Sequence, residues 1–338
     1  DQWRHIAVES RIMSGLPYLT PQLSDGTAGS TLNNIIGRVS YGGLWYVSAG
    51  IASIIRAVTS YDVTTSLIVV NKWLVPIWWS LTVPLLLYLL GRAFNWDNRK
   101  SLFLSWLGFL PFALQAPGAM TLPVSFSFPI FLAGSILLIH RLKSNERKWL
   151  RWLLVVGIII SLNYILYAVL FWLGWVVAEI VRQSSSVGAG SPRPYMVFCF
   201  VIVVLALPVL EFFAGYSHFD SSIHWFAQIK QLIGNFTAAY IANGPRPHVI
   251  ETGNIIFNQI PSYAFVANVF TAWRWWLIGF MVLFLVLAKY GAWQLWRTKL
   301  VQNVWLVLFG SGLFVSYVIS RYFLVGEQVL TRRLDTTL

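Results

Sequence analysis

Long apolar runs separated by short polar connections recur along most of the chain. Runs of that length with so few charges read as membrane-spanning helices. The pattern predicts eight spans, over 66–90, 101–115, 123–140, 152–161, 164–180, 195–213, 273–288 and 301–320. The pair 152–161 and 164–180, turning at Asn163, is short enough for a tilted or half-inserted hairpin. The opening stretch, DQWRHIAVESRIMSGLP, breaks the pattern with a polar helical periodicity. Ile6, Ala7, Ile12 and Met13 give its apolar faces, Asp1 stands where an N-cap stands, and Gly15-Leu16-Pro17 ends it. Residues 24–37 are rich in Gly, Ser and Asn and read as loop. Segment 41–58 is apolar but broken by Gly42, Gly43, Ser48, Gly50, Ser53 and Arg56, which predicts an interfacial helix on the outer surface. A second amphipathic helix is predicted over 224–240.

The charge pattern orients these spans. Four short connections, at 91–100, 141–151, 182–193 and 289–299, hold 13 of the 24 Lys and Arg residues. The positive-inside rule puts all four in the cytoplasm. Nine of the twelve acidic residues then face or approach the outer side. The formal charge of +12 is thereby explained by topology, not by a nucleic-acid partner. A composition 57% hydrophobic and 11% charged excludes a soluble globular domain. The fold class is therefore all-α, a polytopic transmembrane bundle with outer interfacial helices, in a plasma (cell inner) membrane. Its parts are a first outer loop at 1–65, spans within 66–213, a long outer loop at 214–272, spans within 273–320 and an outer tail at 321–338. Cys199 is the single cysteine, so no intrachain disulfide forms. No phosphate-binding GxxxxGK[ST] loop is present, which argues against an ATP-driven pump.

An outer helix with Asp1, an aromatic residue and His5, then Gly-Leu-Pro, then Tyr-Gly-Gly-Leu-Trp-Tyr, then an inward span ending LLLYLLGR, resembles the amino-terminal module of the GT-C glycosyltransferases. That superfamily includes protein O-mannosyltransferases, aminoarabinose transferases and oligosaccharyltransferases. The resemblance implies a span just upstream of Asp1, so that the chain is a fragment. It also implies a polyprenyl-phosphate sugar donor, a lipid, glycan or protein acceptor, and action on the extracytoplasmic face. Asp1 matches the family's catalytic Asp, a general base or metal ligand, and His5 matches a His four residues later. Metal-dependent members carry a second acidic motif in the next outer turn. Here that turn, 116–122, reads Ala-Pro-Gly-Ala-Met-Thr-Leu. A divalent cation would need its second carboxylate from Asp25, Asp220 or Glu251, or the branch is metal-independent.

Each candidate has a plainer alternative. Asp1 is a general base or an N-cap whose side chain satisfies a free amide. Asp1, His5 and Glu9 lie along one side of the helix, but spread over about 12 Å they are too far apart for one ion. In the long outer loop, Arg246 and His248 are candidates for a donor phosphate, against a solvated loop with incidental charges. Arg321, at the end of the last span, corresponds to a late Arg with which the family holds donor phosphate. Glu211, near the outer end of a span, is either functional or snorkels to the surface. Three functions fit: a glycosyltransferase, a transporter or flippase of lipid or glycan, and a non-catalytic membrane subunit.

Overall fold

The computed structural model describes residues 2–15, 42–107, 123–144, 146–185, 194–213, 217–218, 274–326 and 331. Ten helices and one two-residue strand pair make up these residues, which fall into two compact units, 1–191 with 335–338, and 192–334. Five helices are long and apolar enough to cross a membrane. The protein is a multi-pass helical membrane protein.

The first unit holds α1 (Gln2–Met13), α2 (Gly42–Val58), α3 (Val63–Ala93), α4 (Asn98–Leu107), α5 (Pro123–Lys143), α6 (Arg147–Asn163) and α7 (Ile165–Ser185). Its axis is α3, 31 residues long and so about 46 Å. Asp62 caps it, its carboxylate accepting the Thr65 N–H at 3.0 Å. Two stripes at i, i+4 spacing divide its surface. Leu67, Asn71, Val75, Trp79 and Val83 are buried, while Trp73, Ile77, Leu81, Leu85 and Leu89 are exposed. The exposed stripe is about 24 Å tall, close to the thickness of a bilayer's hydrocarbon core. Lys72 lies over the Trp73 ring at its start, and Arg92 and Trp96 follow its end. Cations and tryptophans at those two levels are what the two membrane interfaces select. The first ten residues of α3 therefore overhang the apolar band.

Helices α1 and α2 flank that overhang. Ala52 packs with Leu67 and Val70, and Leu44 with Val75 and Phe126, so α2 runs antiparallel to α3. Helix α1 stops where the sequence predicts, with Gly15 in the left-handed region at φ 69°. Its Ile6 and Met13 join the Ala52–Leu67–Val70 cluster, while Ala7 is exposed.

The other end of the unit is basic. Lys143 Nζ donates to Asn95 Oδ1 at 2.6 Å, which aligns the ends of α3 and α5. Trp79 stacks on Phe128 and packs against Leu132, so these two helices run parallel. The chain between them must return from one end to the other. Helix α4 begins that return, with Ser105 Oγ donating to the Pro84 carbonyl at 2.8 Å. Helices α6 and α7 form a hairpin joined by Tyr164 alone. Its turn meets α2 closely: a Cβ on Gly43 would overlap the Asn163 side-chain amide.

The second unit holds α8 (Pro194–Phe213), β1 (Ser217–His218), α9 (Arg274–Arg297), α10 (Val301–Phe323) and β2 (Val325–Gly326). Gly312 lets α10 approach Val203, and the Leu207 N–H reaches Ser316 Oγ at 3.1 Å. Helices α8 and α10 thus run parallel, and α9, packed on α10, belongs to the return between them. The strands pair antiparallel, Ser217 with Gly326 and His218 with Val325.

The predicted eight spans are corrected to five among the described residues: Val63–Ala93, Pro123–Lys143, Ile165–Gln183, Tyr195–Phe213 and Val301–Ser320. The predicted span 101–115 is described only as far as Leu107. The span 152–161 belongs to α6, which has 17 residues and carries Arg147, Lys148 and Arg151 at its start. The span 273–288 lies in α9, whose 24 residues include Arg274, Lys289 and Arg297.

Candidate functional site

Two polar side chains of α1 turn into the seam between α2 and α3. His5 Nδ1 accepts the Trp45 indole N–H at 2.9 Å. This bond leaves the neutral ring's proton on Nε2. Burial pushes the imidazole's pKa down to about 4, in keeping with that neutral form. One turn later, Glu9 is fully buried, and its Oε2 accepts from Asn71 Nδ2 at 2.6 Å. Asn71 Nδ2 also donates to the Leu67 carbonyl of its own helix at 3.0 Å, which fixes the amide's orientation. Ser48 of α2 faces the same carboxyl and is itself fully buried. Glu9 Oε1 and Ser48 Oγ complete no hydrogen bond. Burial, only partly offset by Asn71 and Ser48, raises the Glu9 carboxyl to about 7.

The sequence explains why this seam forms. Asn71 lies on the buried stripe of α3, the one amide among Leu67, Val75, Trp79 and Val83. A polar side chain there needs a partner from a neighbouring helix. Glu9 supplies it, four residues after His5 and on the same side of α1.

His5 is the predicted site residue whose side chain the structure describes. Arg321 lies in the last turn of α10. Asp1, Asp25, Asp220, Arg246, His248 and Glu251 lie outside the described residues, as do the loop at 24–37, the turn at 116–122 and the helix at 224–240. Sequence reasoning placed Glu9 beside His5 but missed Trp45, Ser48 and Asn71. The signal for Asn71 was its place, with Lys72, inside an otherwise apolar run. Among the described residues no three His, Cys, Asp or Glu side chains come together in a metal-ligating group. His5 and Glu9 engage separate partners on separate helices.

A second buried carboxyl belongs to the second unit. Glu211 is fully buried and accepts from Thr331 N at 2.6 Å and Thr331 Oγ1 at 2.9 Å. Of its two readings, snorkelling to the surface is thereby corrected: the side chain turns inward to a backbone amide and a hydroxyl. Comparison with protein-family models, with curated proteins and with solved structures yields no match.

Proposed function

We propose that the chain is a membrane glycosyltransferase of the GT-C type, moving a sugar from a polyprenyl-phosphate donor to an acceptor on the extracytoplasmic face. The observation that carries this reading is the docking of α1. A polar helix with Asp1 at its head is held against the spanning helix α3 by a buried bond from Asn71 and against α2 by a part-buried bond from Trp45. Catalytic groups on such a support keep a fixed geometry, which a transfer reaction requires. In this reading Asp1 takes the acceptor's proton as the sugar–phosphate bond breaks. His5, neutral and committed at Nδ1, offers an Nε2–H donor and positions the acceptor. Arg246, His248 and Arg321 bind the donor phosphate. Positive-inside topology puts the four basic connections in the cytoplasm and α1 outside.

The test is Asp1→Asn in the intact membrane protein. Asn caps a helix nearly as well but takes no proton, so kcat falls about 10²–10⁴-fold while stability holds. Full activity in that variant returns Asp1 to a capping role. Arg246→Ala weakens donor use by about 1.5–3 kcal/mol, read from the donor KM.

One observation favours a second reading, a proton-coupled transporter of lipid or glycan. Glu9 and Glu211 are both fully buried, and buried carboxyls in membrane proteins serve proton relays. Substrate uptake into proteoliposomes driven by an acid pulse, and lost in Glu211→Gln, would replace the enzyme reading.

A further inference from the structure

At the basic end of the first unit, a cleft of about 460 Å³ opens between the α3–α4 connection and α4. Trp96, Arg99, Lys100, Phe103 and Leu104 line it. The lining surface is apolar: Arg99 and Lys100 give it their methylene stems and keep their charged ends exposed. The Arg99 side chain is exposed and has no hydrogen bond or ion pair among the described residues. Lys100 meets Asp97 at 3.5 Å, but both side chains are more than half exposed, and such a pair yields readily to another anion. Asp97 is also committed elsewhere, its Oδ1 accepting the Lys100 backbone N–H at 2.8 Å. Its carboxylate therefore caps α4 and does not neutralise Arg99.

The surroundings select for an anion with an apolar tail. Arg92, Lys143, Arg147 and Arg151 also stand at this end of the unit, where the acidic side chains among the described residues are Asp97, Glu146, which pairs with Lys148, and Glu179, which pairs with Arg141 and Arg182. Helix α4 meanwhile exposes Leu102, Phe103 and Trp106 beside those charges. A free inorganic anion would leave that apolar wall unused, and a zwitterionic lipid would bring a quaternary ammonium to the same group of cations. The cleft also lies just beyond Leu89, the last residue of the exposed α3 stripe, at the level where a bilayer places its phosphates.

We propose that this cleft binds an anionic phospholipid, its phosphate on Arg99 and Lys100 and its acyl chain against Phe103, Leu104 and Trp96. A phosphate oxygen fits the planar guanidinium fork, and Lys100 adds a second charge. The site concerns the basic end of the bundle and is independent of the glycosyltransferase reading.

The test uses the purified protein in neutral detergent, titrated with phosphatidylglycerol or with phosphatidylcholine of the same acyl chains, and retained lipid counted by native mass spectrometry. The expected result is one phosphatidylglycerol retained over phosphatidylcholine. In Arg99→Gln/Lys100→Gln the half-saturating phosphatidylglycerol concentration rises about thirtyfold, near fivefold for each charge removed. Both side chains are exposed, so the variant folds, and an unchanged gel-filtration profile checks it. Arg56→Gln removes one charge at the opposite end and leaves retention unchanged. Equal retention of phosphatidylcholine overturns the proposal, as does selective retention that survives the double substitution. Displacement of the lipid by millimolar inorganic phosphate alone would also overturn it, leaving a simple anion site.

Discussion

Glu9 and Glu179 are two carboxyls of one unit that meet their surroundings in opposite ways. Glu179 sits in a fork of cations. Arg141 Nε donates to its Oε1 at 2.8 Å, and Arg182 Nη2 and Nε donate to Oε2 at 2.7 and 2.9 Å. The Trp175 indole adds a 3.3 Å contact to Oε1. Glu9 accepts from one amide donor and forms no ion pair among the described residues. Burial alone therefore does not fix a carboxyl's charge; the charge of its partners does. An ion-paired Glu179 clamps α5 to α7, whereas Glu9 sits at a threshold where the proton itself decides the strength of the α1–α3 contact.

The sharpest way to break this contrast is to remove both carboxylates' charge. Glu179→Gln strands Arg141, whose side chain is only 10% exposed, and should cost about 3–5 kcal/mol. Glu9→Gln keeps the partner of Asn71 and should be neutral or stabilising at pH 8. Thermal unfolding in detergent measures both, and equal losses would end the distinction. Next comes pH. The Glu9 carboxyl is raised from 4.5 to about 7, so folding favours its proton, and its contribution to stability falls as pH climbs from about 4.5 to about 7. The His5 imidazole is lowered from 6.5 to about 4, so its contribution falls as pH drops through that window. The two slopes oppose one another. The parent should be nearly flat between pH 4.5 and 6.5. His5→Asn should expose a loss on the order of 3 kcal/mol as pH rises to 7, and Glu9→Gln the reverse slope on acidification. Identical pH profiles for the parent and both variants would rule this out.

Smaller effects are expected from packing and topology. Gly43→Ala drives a methyl into Asn163 and should cost about 1–3 kcal/mol, disturbing the helix that carries Trp45 and Ser48 while sparing the Glu179 fork. A cross-link or proximity label that senses α1 docking should change in this variant, and one sensing the α5–α7 contact should not. Single cysteines at Ser24 and Ser221, in a Cys199→Ser background, should both label from the extracytoplasmic side. Opposite accessibility would move α1 to the other face and separate it from the long loop.

Local signals in the sequence were reliable where one residue's chemistry fixes the chain. Gly15 ends α1, Asn163 marks the α6–α7 turn, and the basic connections at 91–100 and 141–151 fall at helix ends, whereas 289–299 is helical as far as Arg297. The buried seam was harder to read because Glu9 and Asn71 are 62 residues apart, and periodicity shows which face is buried but not what covers it. Counting spans failed for a different reason. The run 152–161 counts as a span, although its shortness and the basic residues before it are legible, because nothing local shows that Arg147, Lys148 and Arg151 belong to the same 17-residue helix. Of the proposed site, Arg246, His248, Asp25, Asp220 and Glu251 come from segments whose chemistry is legible but whose spatial relation to His5 is not encoded in any local spacing.

Tyr164 gives the bundle a mechanical constraint. It is the sole residue between α6 and α7, its backbone extended and its N–H returned to the Ile160 carbonyl at 2.9 Å. With no slack, it meshes the two helices like a pair of gears: one inserted residue would turn α7 by about 100° relative to α6. That rotation would swing Glu179 away from Arg141 and Phe171 out from beneath Gly134 and Gly157, which leave it just enough room. Chain length at this joint is thus under tighter constraint than side-chain identity at most surface positions, and a single-codon insertion there should do more harm than most single substitutions on the exposed face of α3.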